Sequence, residues 1–295
     1  KKVIRNERPD IAHVQYMAPG AIPIFLLRLL GMKNIIATTH TAADIYPNLR
    51  LIHFVQKYCV RVFTCITMRA EKSFFGSAEL YNSSTILKKR NHFTIYNALP
   101  PYIHIREEQK PFSDGQITLG VVSRLERIKG MDLVVPAFAK LKKQYADIRL
   151  LVVGDGSQRS IMQEQAIELG VNDSVEWMGR QEQPCLQSLY DRIDILMPSR
   201  SEGFGLTAIE GMARGCVVVG SDTGGLPEVV KDGETGLLHQ VEDVEDMTAK
   251  IQSLLESRMR TIQLSRNSVS YVSQFSFAKY AAAFCNLYER IKHIN

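Results

Sequence analysis

The sequence has few cysteines and no apolar run long enough to span a bilayer. The five cysteines, at positions 59, 65, 185, 216 and 285, show no C-x-x-C spacing and no clustering with histidine. This pattern excludes a disulfide framework and the usual zinc motifs, and it predicts a reduced, cytoplasmic protein with buried thiols. The most apolar stretch, residues 20–32, contains Pro23 and Arg28, so it predicts a core helix and not a membrane span.

A strong charge of either sign is also lacking. The net charge is +5, and no nucleic-acid recognition motif accompanies it. The basic runs Lys1-Lys2 and Lys88-Lys89-Arg90 are compatible with contact at the inner face of an anionic membrane, although such runs are more often solvated surface. No His, Cys, Asp or Glu group has metal-ligand spacing, and Asp191 with Asp194 makes a poor pair because one ends a helix and the other begins a strand.

What the sequence does have is alternation of short apolar strands with amphipathic helices, which predicts an α/β fold with parallel sheets. A length of 295 residues favours two domains. Residues 1–100 form the first, and residues 101–116, with their prolines and mixed charge, read as a linker. Residues 117–275 form the second domain, and residues 276–295 form a last helix. Pro136 interrupts the helix predicted over 131–145 and should remove one backbone hydrogen bond.

One glycine pattern is close to a dinucleotide fingerprint but fails it. Gly154-Asp155-Gly156 follows an apolar strand, yet the third glycine position holds Arg159. A dinucleotide oxidoreductase is therefore disfavoured.

The most informative stretch is residues 197–230, which contains SEGFGLTAIEGMARG at 201–215. Glu202 precedes a helix predicted over 205–214, and Glu210 falls within it. Leu206, Ile209, Glu210 and Ala213 share one helix face at 100° per residue, and that face is the apolar one. An inward carboxylate needs a partner, which is either a structural donor or the hydroxyl groups of a ligand such as a ribose.

The E-x7-E spacing of Glu202 and Glu210, with GFG inside it and SDTGGLPEVVKDGETGLL after it, resembles the signature of retaining glycosyltransferases of the GT-B fold (group 1, family 4). The resemblance implies two Rossmann-like domains facing across a cleft. It implies that Glu210 holds the ribose hydroxyls and that Glu202 lies by the donor sugar. It also implies that backbone amides at Gly203, Phe204, Gly205 and Leu206 face the sugar and diphosphate.

The same resemblance extends to other positions. Arg124 and Lys129 stand in a G-x-x-S-R-L-x-x-x-K-G setting, which implies two cations on the diphosphate; without the resemblance they read as exposed basic residues. Met178, Gly179 and Arg180 become candidates for the base site. Thr223 and Gly224 form a tight loop suited to a phosphate or sugar oxygen. His40 ends a strand, and family members have a His in a comparable place that touches the donor sugar; a lone His is otherwise usually structural.

The implied function is transfer of a sugar from a nucleotide-diphospho-sugar to a saccharide or lipid-linked acceptor, with retention, without a metal and without a cofactor. Family members begin with a strand and a glycine-rich loop that this sequence lacks, so we expect an incomplete N-terminal domain. A nucleotide-sugar-binding module without activity is therefore the first alternative. A GT-B relative of another reaction type, such as a phosphorylase or an epimerase, is the second.

Overall fold

The computed structural model describes residues 6–15, 21–40, 48–85, 87, 90–112, 116–197, 200 and 202–293. The chain divides into two compact units, the first of Lys1–Ala98 with Phe277–Asn295 and the second of Leu99–Ser276. Each unit has its own parallel sheet. The α/β class predicted from the alternation of strands and helices is confirmed.

The first unit has a four-stranded sheet in the order β1-β2-β3-β4, with every neighbouring pair parallel. Its strands are β1 (Ala12–Gln15), β2 (Ile35–Thr39), β3 (Val62–Cys65) and β4 (His92–Thr94). Its first helices are α1 (Ile22–Leu29), α2 (Leu49–Phe54), which continues as a π-helix over Val55–Cys59, and α3 (Met68–Phe75). Thr67 caps α3 by accepting a hydrogen bond from the Ala70 amide, and Gly76 ends it at φ 74°.

Two cores cover the two faces of this sheet. Alternate residues of β2 and β3 pack with α1, α2 and α3 on one face. The other face packs against the last helix, α11 (Phe277–Lys292), through Phe284, Leu287 and Ile291. These residues form an apolar stripe of core packing, whereas Phe277, at the start of the helix, is exposed.

The second unit has a six-stranded parallel sheet in the order β10-β9-β8-β5-β6-β7. Its strands are β5 (Ile117–Val122), β6 (Ile148–Val153), β7 (Val175–Gly179), β8 (Ile195–Leu196), β9 (Val217–Ser221) and β10 (Gly236–His239). Its helices are α4 (Met131–Lys142), α5 (Arg159–Glu168), α6 (Gln183–Arg192), α7 (Leu206–Ala213), α8 (Leu226–Val229), α9 (Val244–Leu255) and α10 (Arg258–Val272). Pro136 lies inside α4, as the sequence indicated.

Residues 101–112 of the predicted linker belong to the second unit and pack within it. Arg106 pairs with Asp191 at 3.1 Å, and the His104 amide donates to Gln187 at 2.8 Å. Lys110 is buried and lies 3.8 Å from the buried Asp194. These contacts fix the segment that carries Tyr102, a residue of the candidate site.

One expectation about the surface needs correction. Cys59, Cys65 and Cys216 are buried as predicted, but Cys185 and Cys285 are exposed, so the prediction of buried thiols is wrong for these two. Within the described residues, no helix combines the length and the apolar character that a bilayer crossing requires. Of the basic runs, Lys1, Lys2, Lys88 and Lys89 lie outside the described residues, and Arg90 pairs with the buried Glu71 at 3.0 Å.

Candidate functional site

The order of strands in the second sheet predicts where a ligand binds. From β5 the chain adds β6 and β7 on one side, then returns to place β8, β9 and β10 on the other. The switch point therefore lies between β5 and β8, and ligands of open parallel sheets bind outside the carboxyl ends of the strands at such a point. The loops that leave β5 and β8 there contain Arg124, Lys129 and Glu202, three of the predicted site residues.

The loop after β5 is held in place by Arg200. It forms a 3₁₀ turn over Arg127–Lys129 and ends at Gly130 with φ 74°. Arg200, in the loop after β8, donates from its side chain to the Arg127 carbonyl at 3.1 Å and to Asp132 at 2.9 Å, and its backbone amide donates to the Lys129 carbonyl at 3.2 Å. A side chain on Gly130 would lie 2.9 Å from Arg200 Cβ, so glycine permits this close packing.

This packing brings together two of the predicted residues, Lys129 and Glu202. Lys129 Nζ lies 2.9 Å from Glu202 Oε2, and the two side chains are only 17% and 14% exposed. Arg124 is exposed, and its charge contributes to lowering the pKa of Glu126, after the larger effect of hydrogen bonds from Ser157. The site therefore contains a partly buried cation and carboxylate in contact, with a second cation on the same loop.

Gly224 and Gly225 allow their backbone to approach the backbone of Glu202 and Gly203 closely. A side chain on Gly224 would lie 2.2 Å from the Glu202 carbonyl oxygen, and one on Gly225 would lie 2.6 Å from the Gly203 carbonyl oxygen. The Gly225 amide donates to the Glu202 carbonyl at 2.9 Å. The Thr223–Gly224 turn thus packs against the loop that carries Glu202 and supports it. Phe204 is a core residue whose ring meets Phe275 edge to face at 5.5 Å.

Glu210 is 5% exposed in the middle of α7, as its position on an inward face predicted. Its partners are two tyrosines: Tyr190 donates to Oε2 at 2.7 Å, and Tyr102 donates to Oε1 at 3.4 Å. Desolvation raises the pKa of Glu210, and the charge of Glu202 adds to this effect, while the tyrosine hydrogen bonds oppose it. The apolar helix face predicted from the sequence is wrong at Leu206, the first residue of α7. Leu206 is 39% exposed, whereas α7 is buried from Ala208 to Ala213.

Met178, Gly179 and Arg180, the predicted base-site residues, lie at the carboxyl end of the edge strand β7. Gly179 has φ 64°, and its carbonyl accepts from the Gly154 amide at 2.8 Å. The glycines of the 154–156 turn allow backbone contact as well, since a side chain on Gly154 would lie 1.8 Å from the Ser123 carbonyl oxygen. The failed dinucleotide fingerprint is therefore a packing feature that joins the loops after β5 and β6.

His40, predicted near the donor sugar, belongs to the first unit and follows β2. Its Nε2 lies 2.7 Å from Gln15 Oε1, and burial lowers its pKa, so the ring is neutral at pH 7. His13 lies between Tyr288 at 2.7 Å and Thr38 at 2.6 Å. Desolvation first, and the charge of His40 second, lower the pKa of His13 to about 4. The structure therefore ties His13 to α11.

The sequence analysis missed Tyr190 and Tyr102. Tyr190 lies twenty positions from Glu210, and this distance along the chain gives no sign of contact. The signal that could have found it is chemical: an inward carboxylate requires a donor, and a tyrosine near the end of the preceding helix is one.

Two cavities at the opposite, amino-terminal ends of the strands contain none of the predicted site residues. One of about 300 Å³ is lined by Phe112, Ile148, Leu254 and Arg258, and one of about 550 Å³ by Arg149, Glu176 and Asp194, among others. Among the described residues, no group of His, Cys, Asp and Glu is arranged to hold a metal ion.

A family model described as "Glycosyl transferases group 1" matches residues 104–271, more than half of the chain. D-inositol 3-phosphate glycosyltransferase of Corynebacterium aurimucosum is 29% identical, over 95% of this chain and 71% of that protein. N-acetyl-alpha-D-glucosaminyl L-malate synthase of Bacillus anthracis is 29% identical, over 97% of this chain and 76% of that protein. Among solved structures, Anabaena HepE in complex with UDP and glucose has a TM-score of 0.78 at 17% identity, over 99% of this chain and 80% of that chain. This last likeness shows the fold.

Proposed function

Because the chain belongs to the glycosyl transferases group 1 family, we propose that it transfers a sugar from a nucleotide-diphospho-sugar to a saccharide or lipid-linked acceptor, with retention of anomeric configuration. The observation that carries the proposal is the Lys129–Glu202 ion pair at the switch point of the second sheet, in a unit that also buries the Glu210 carboxylate.

Different residues bind different parts of the nucleotide-sugar donor. Glu210 accepts hydrogen bonds from the ribose hydroxyls, and Glu202 lies by the donor sugar. Lys129 and Arg124 bind the diphosphate, assisted by the backbone amides of residues 203–206 at the start of α7, where the helix dipole favours negative charge. Met178, Gly179 and Arg180 lie by the base. A contact of His40 with the donor sugar remains an expectation from the resemblance.

The demanding step is departure of the nucleoside diphosphate, because negative charge builds on its oxygens. Cations that are fixed before the reaction stabilise this charge more in the transition state than in the ground state. Lys129 is fixed in this way by Glu202 and by the Arg200 contacts on its turn. We propose that Lys129 and Arg124 stabilise this charge without a metal ion, and that no covalent intermediate with the protein forms.

Neither earlier alternative gains support. Named glycosyltransferases and synthases align with nearly the whole chain, so an inactive binding module is not favoured. A phosphorylase would require a lysine-bound pyridoxal phosphate, and absorbance spectra of the purified protein would reveal it.

The function is tested in two steps. A thermal-shift screen of UDP, GDP and ADP identifies the nucleotide, because a ligand of the native state raises the melting temperature by mass action. Incubation with the corresponding labelled nucleotide-sugars and a panel of saccharide and lipid acceptors then measures transfer, and proton NMR of the product gives the anomeric configuration. Binding without transfer to any acceptor would support the module instead, and an inverted product would refute retention.

We also propose contact with an anionic membrane, through a surface other than the basic runs singled out from the sequence. The apolar–basic surface comprises the exposed side chains of Ile22, Phe25, Leu26, Leu29, Phe54 and Tyr58. Phe54 connects the residues of α1 to Tyr58 of the π-helix: its ring centroid lies 6.1 Å from that of Phe25 and 5.2 Å from that of Tyr58. The described residues from 21 to 61 contain five Lys or Arg residues (Arg28, Lys33, Arg50, Lys57 and Arg61) and no Asp or Glu. Asp44, in the same stretch, lies outside the described residues. An apolar surface in segments that carry these cations fits a lipid surface with anionic headgroups.

Vesicle sedimentation tests this contact. The protein should sediment with vesicles of phosphatidylglycerol and phosphatidylcholine, and not with phosphatidylcholine alone. Leu29→Asp should abolish the effect, while Met259→Asp, at an equally exposed residue of the second unit, should leave it unchanged. Failure to sediment, or a dimer that Leu29→Asp dissociates, would overturn the proposal in favour of no partner or of a second copy of the chain.

A further inference from the structure

The two oxygens of the Glu210 carboxylate have different partners. The Tyr190 hydroxyl donates to Oε2 at 2.7 Å, an ordinary length for such a bond, whereas the Tyr102 hydroxyl lies 3.4 Å from Oε1, which is long. Burial raises the pKa of Tyr190 well above its usual value and raises that of Tyr102 to about 12. Both hydroxyls are therefore protonated donors at neutral pH.

Tyr190 is immobile. Its side chain is completely buried, and it lies near the end of α6. Its backbone carbonyl accepts from Lys110 Nζ at 3.3 Å and from Cys216 Sγ at 3.2 Å, so the backbone at this residue is held from two sides. The hydroxyl thus has a fixed position, and it fixes the oxygen that it binds.

Tyr102 has the opposite character. It is half-buried, it lies in a segment without helix or strand, and its bond to Oε1 is weak. Ile103 next to it is buried, which anchors the segment, whereas Tyr102 itself is partly exposed. A donor with better geometry can therefore replace the Tyr102 hydroxyl at Oε1.

We infer that Tyr190 is a positioning residue that orients the Glu210 carboxylate so that Oε1 is presented to the ribose, and that the Tyr102 hydroxyl occupies Oε1 until a ribose hydroxyl displaces it. This inference rests on the proposed function and adds to it two residues outside the E-x7-E pattern. Tyr190 keeps one oxygen satisfied throughout, so the buried carboxylate never lacks a donor. Tyr102 satisfies the other oxygen only when no nucleotide is bound.

The inference predicts opposite effects for two similar substitutions. Tyr190→Phe frees the carboxylate to rotate and leaves Oε2 without a donor, so the ribose loses a fixed acceptor. Tyr102→Phe removes a competitor for Oε1, so nucleotide affinity should rise. Tyr145 provides a matched control, because its hydroxyl donates to a Glu256 oxygen at 3.0 Å on another part of the same unit.

The measurement is the ribose discrimination: the ratio of the dissociation constants of 2′- or 3′-deoxy-UDP and UDP, determined by calorimetry. For the unchanged protein we expect a ratio of roughly 10 for at least one analogue, corresponding to one hydrogen bond to a charged group. Tyr190→Phe should lower that ratio at least threefold and weaken UDP binding. Tyr102→Phe should strengthen UDP binding about twofold or more and keep the ratio. Tyr145→Phe should change neither quantity.

Unchanged discrimination in folded Tyr190→Phe, or weaker UDP binding by Tyr102→Phe, would overturn the inference. If Tyr190→Phe does not fold, a crystal structure of the unchanged protein with UDP decides. The inference requires the Tyr190 bond to Oε2 to persist, a ribose hydroxyl to lie on Oε1 and Tyr102 to have moved away; a ribose on Oε2 contradicts it. The proposed function fails separately, when the unchanged protein binds none of UDP, GDP and ADP. Should GDP or ADP bind in place of UDP, the deoxy analogues of that nucleotide are used.

Discussion

Replacing Lys129 by Met tests whether this cation binds the diphosphate. The substitution should leave the turn intact, because the turn is held by its backbone: the Lys129 amide donates to Glu126 at 2.8 Å, and its carbonyl accepts from Arg200 at 3.2 Å. A methionine side chain also has similar length and apolar bulk. The substitution therefore removes a charge and little else.

The expected loss has two parts. A hydrogen bond between a cation and a phosphate oxygen contributes about 1.5–3 kcal/mol, which is about one to two decades in affinity. In addition, the Lys129 partner Glu202 becomes an unbalanced negative charge. Two like charges near 4 Å at a protein surface repel by up to about 4 kcal/mol. Lys129→Met should therefore weaken UDP binding by at least one to two decades, and the double variant with Glu202→Gln should recover part of this loss.

Calorimetry with UDP and with uridine separates this role from a structural one. Uridine lacks the diphosphate, so its binding should not change in Lys129→Met. Lys140→Met is the control variant, because Lys140 also pairs with a glutamate, Glu245, but at an exposed position away from the site. Equal UDP affinity in Lys129→Met and the unchanged protein, or an equal loss for uridine, would refute the reasoning.

Three further predictions concern Gly224, Glu210 and His13. Gly224→Ala should lower the melting temperature and UDP affinity together, because the new Cβ would lie 2.2 Å from the Glu202 carbonyl oxygen and φ is +58° there; a stable variant with full affinity would contradict this. The affinity for a UDP-sugar should fall on acidification at a pH above the usual range of a glutamate, because the pKa of Glu210 is raised and its carboxylate is the acceptor. A UDP-sugar is the suitable ligand because its diphosphate does not titrate near pH 6. Calorimetry across pH should show this fall, and Glu210→Gln should lack it. His13 is a base whose pKa is lowered to about 4 from 6.5, so its contribution to stability is complete above pH 6.5 and is lost as the pH falls toward 4; denaturant titrations should show a smaller acid loss in His13→Gln than in the unchanged protein.

The strands and most helices could be predicted because their apolar residues have a clear period. The helix α10 was missed for a physical reason: its buried face includes Thr261, Ser265 and Ser268, which a search for apolar periodicity cannot detect. These hydroxyls can be buried because each donates to a carbonyl, as Ser265 does to Gly215 at 2.8 Å. The π-helix after α2 likewise has no distinguishing pattern in the sequence.

The carboxylates of the site could be predicted, and their protein partners could not. Glu210 was placed inward by helical spacing alone, which is a local property. Its contacts with Tyr190 and Tyr102 join three separate segments, so they depend on how α7, α6 and residues 99–112 pack together. The glycines at 224 and 225 could be assigned to a tight turn, but that this turn supports Glu202 is visible only when both backbones are in place.

The central assignment is Glu210 as the ribose acceptor, and the affinity of Glu210→Gln for UDP tests it directly. The glutamine has the same shape and can still accept from Tyr190, so the fold should remain while the charge is lost. We expect the dissociation constant to rise by about one decade or more, as for a hydrogen bond to a charged group. An unchanged dissociation constant, in a variant with an unchanged melting temperature, would contradict the assignment of this site to a nucleotide.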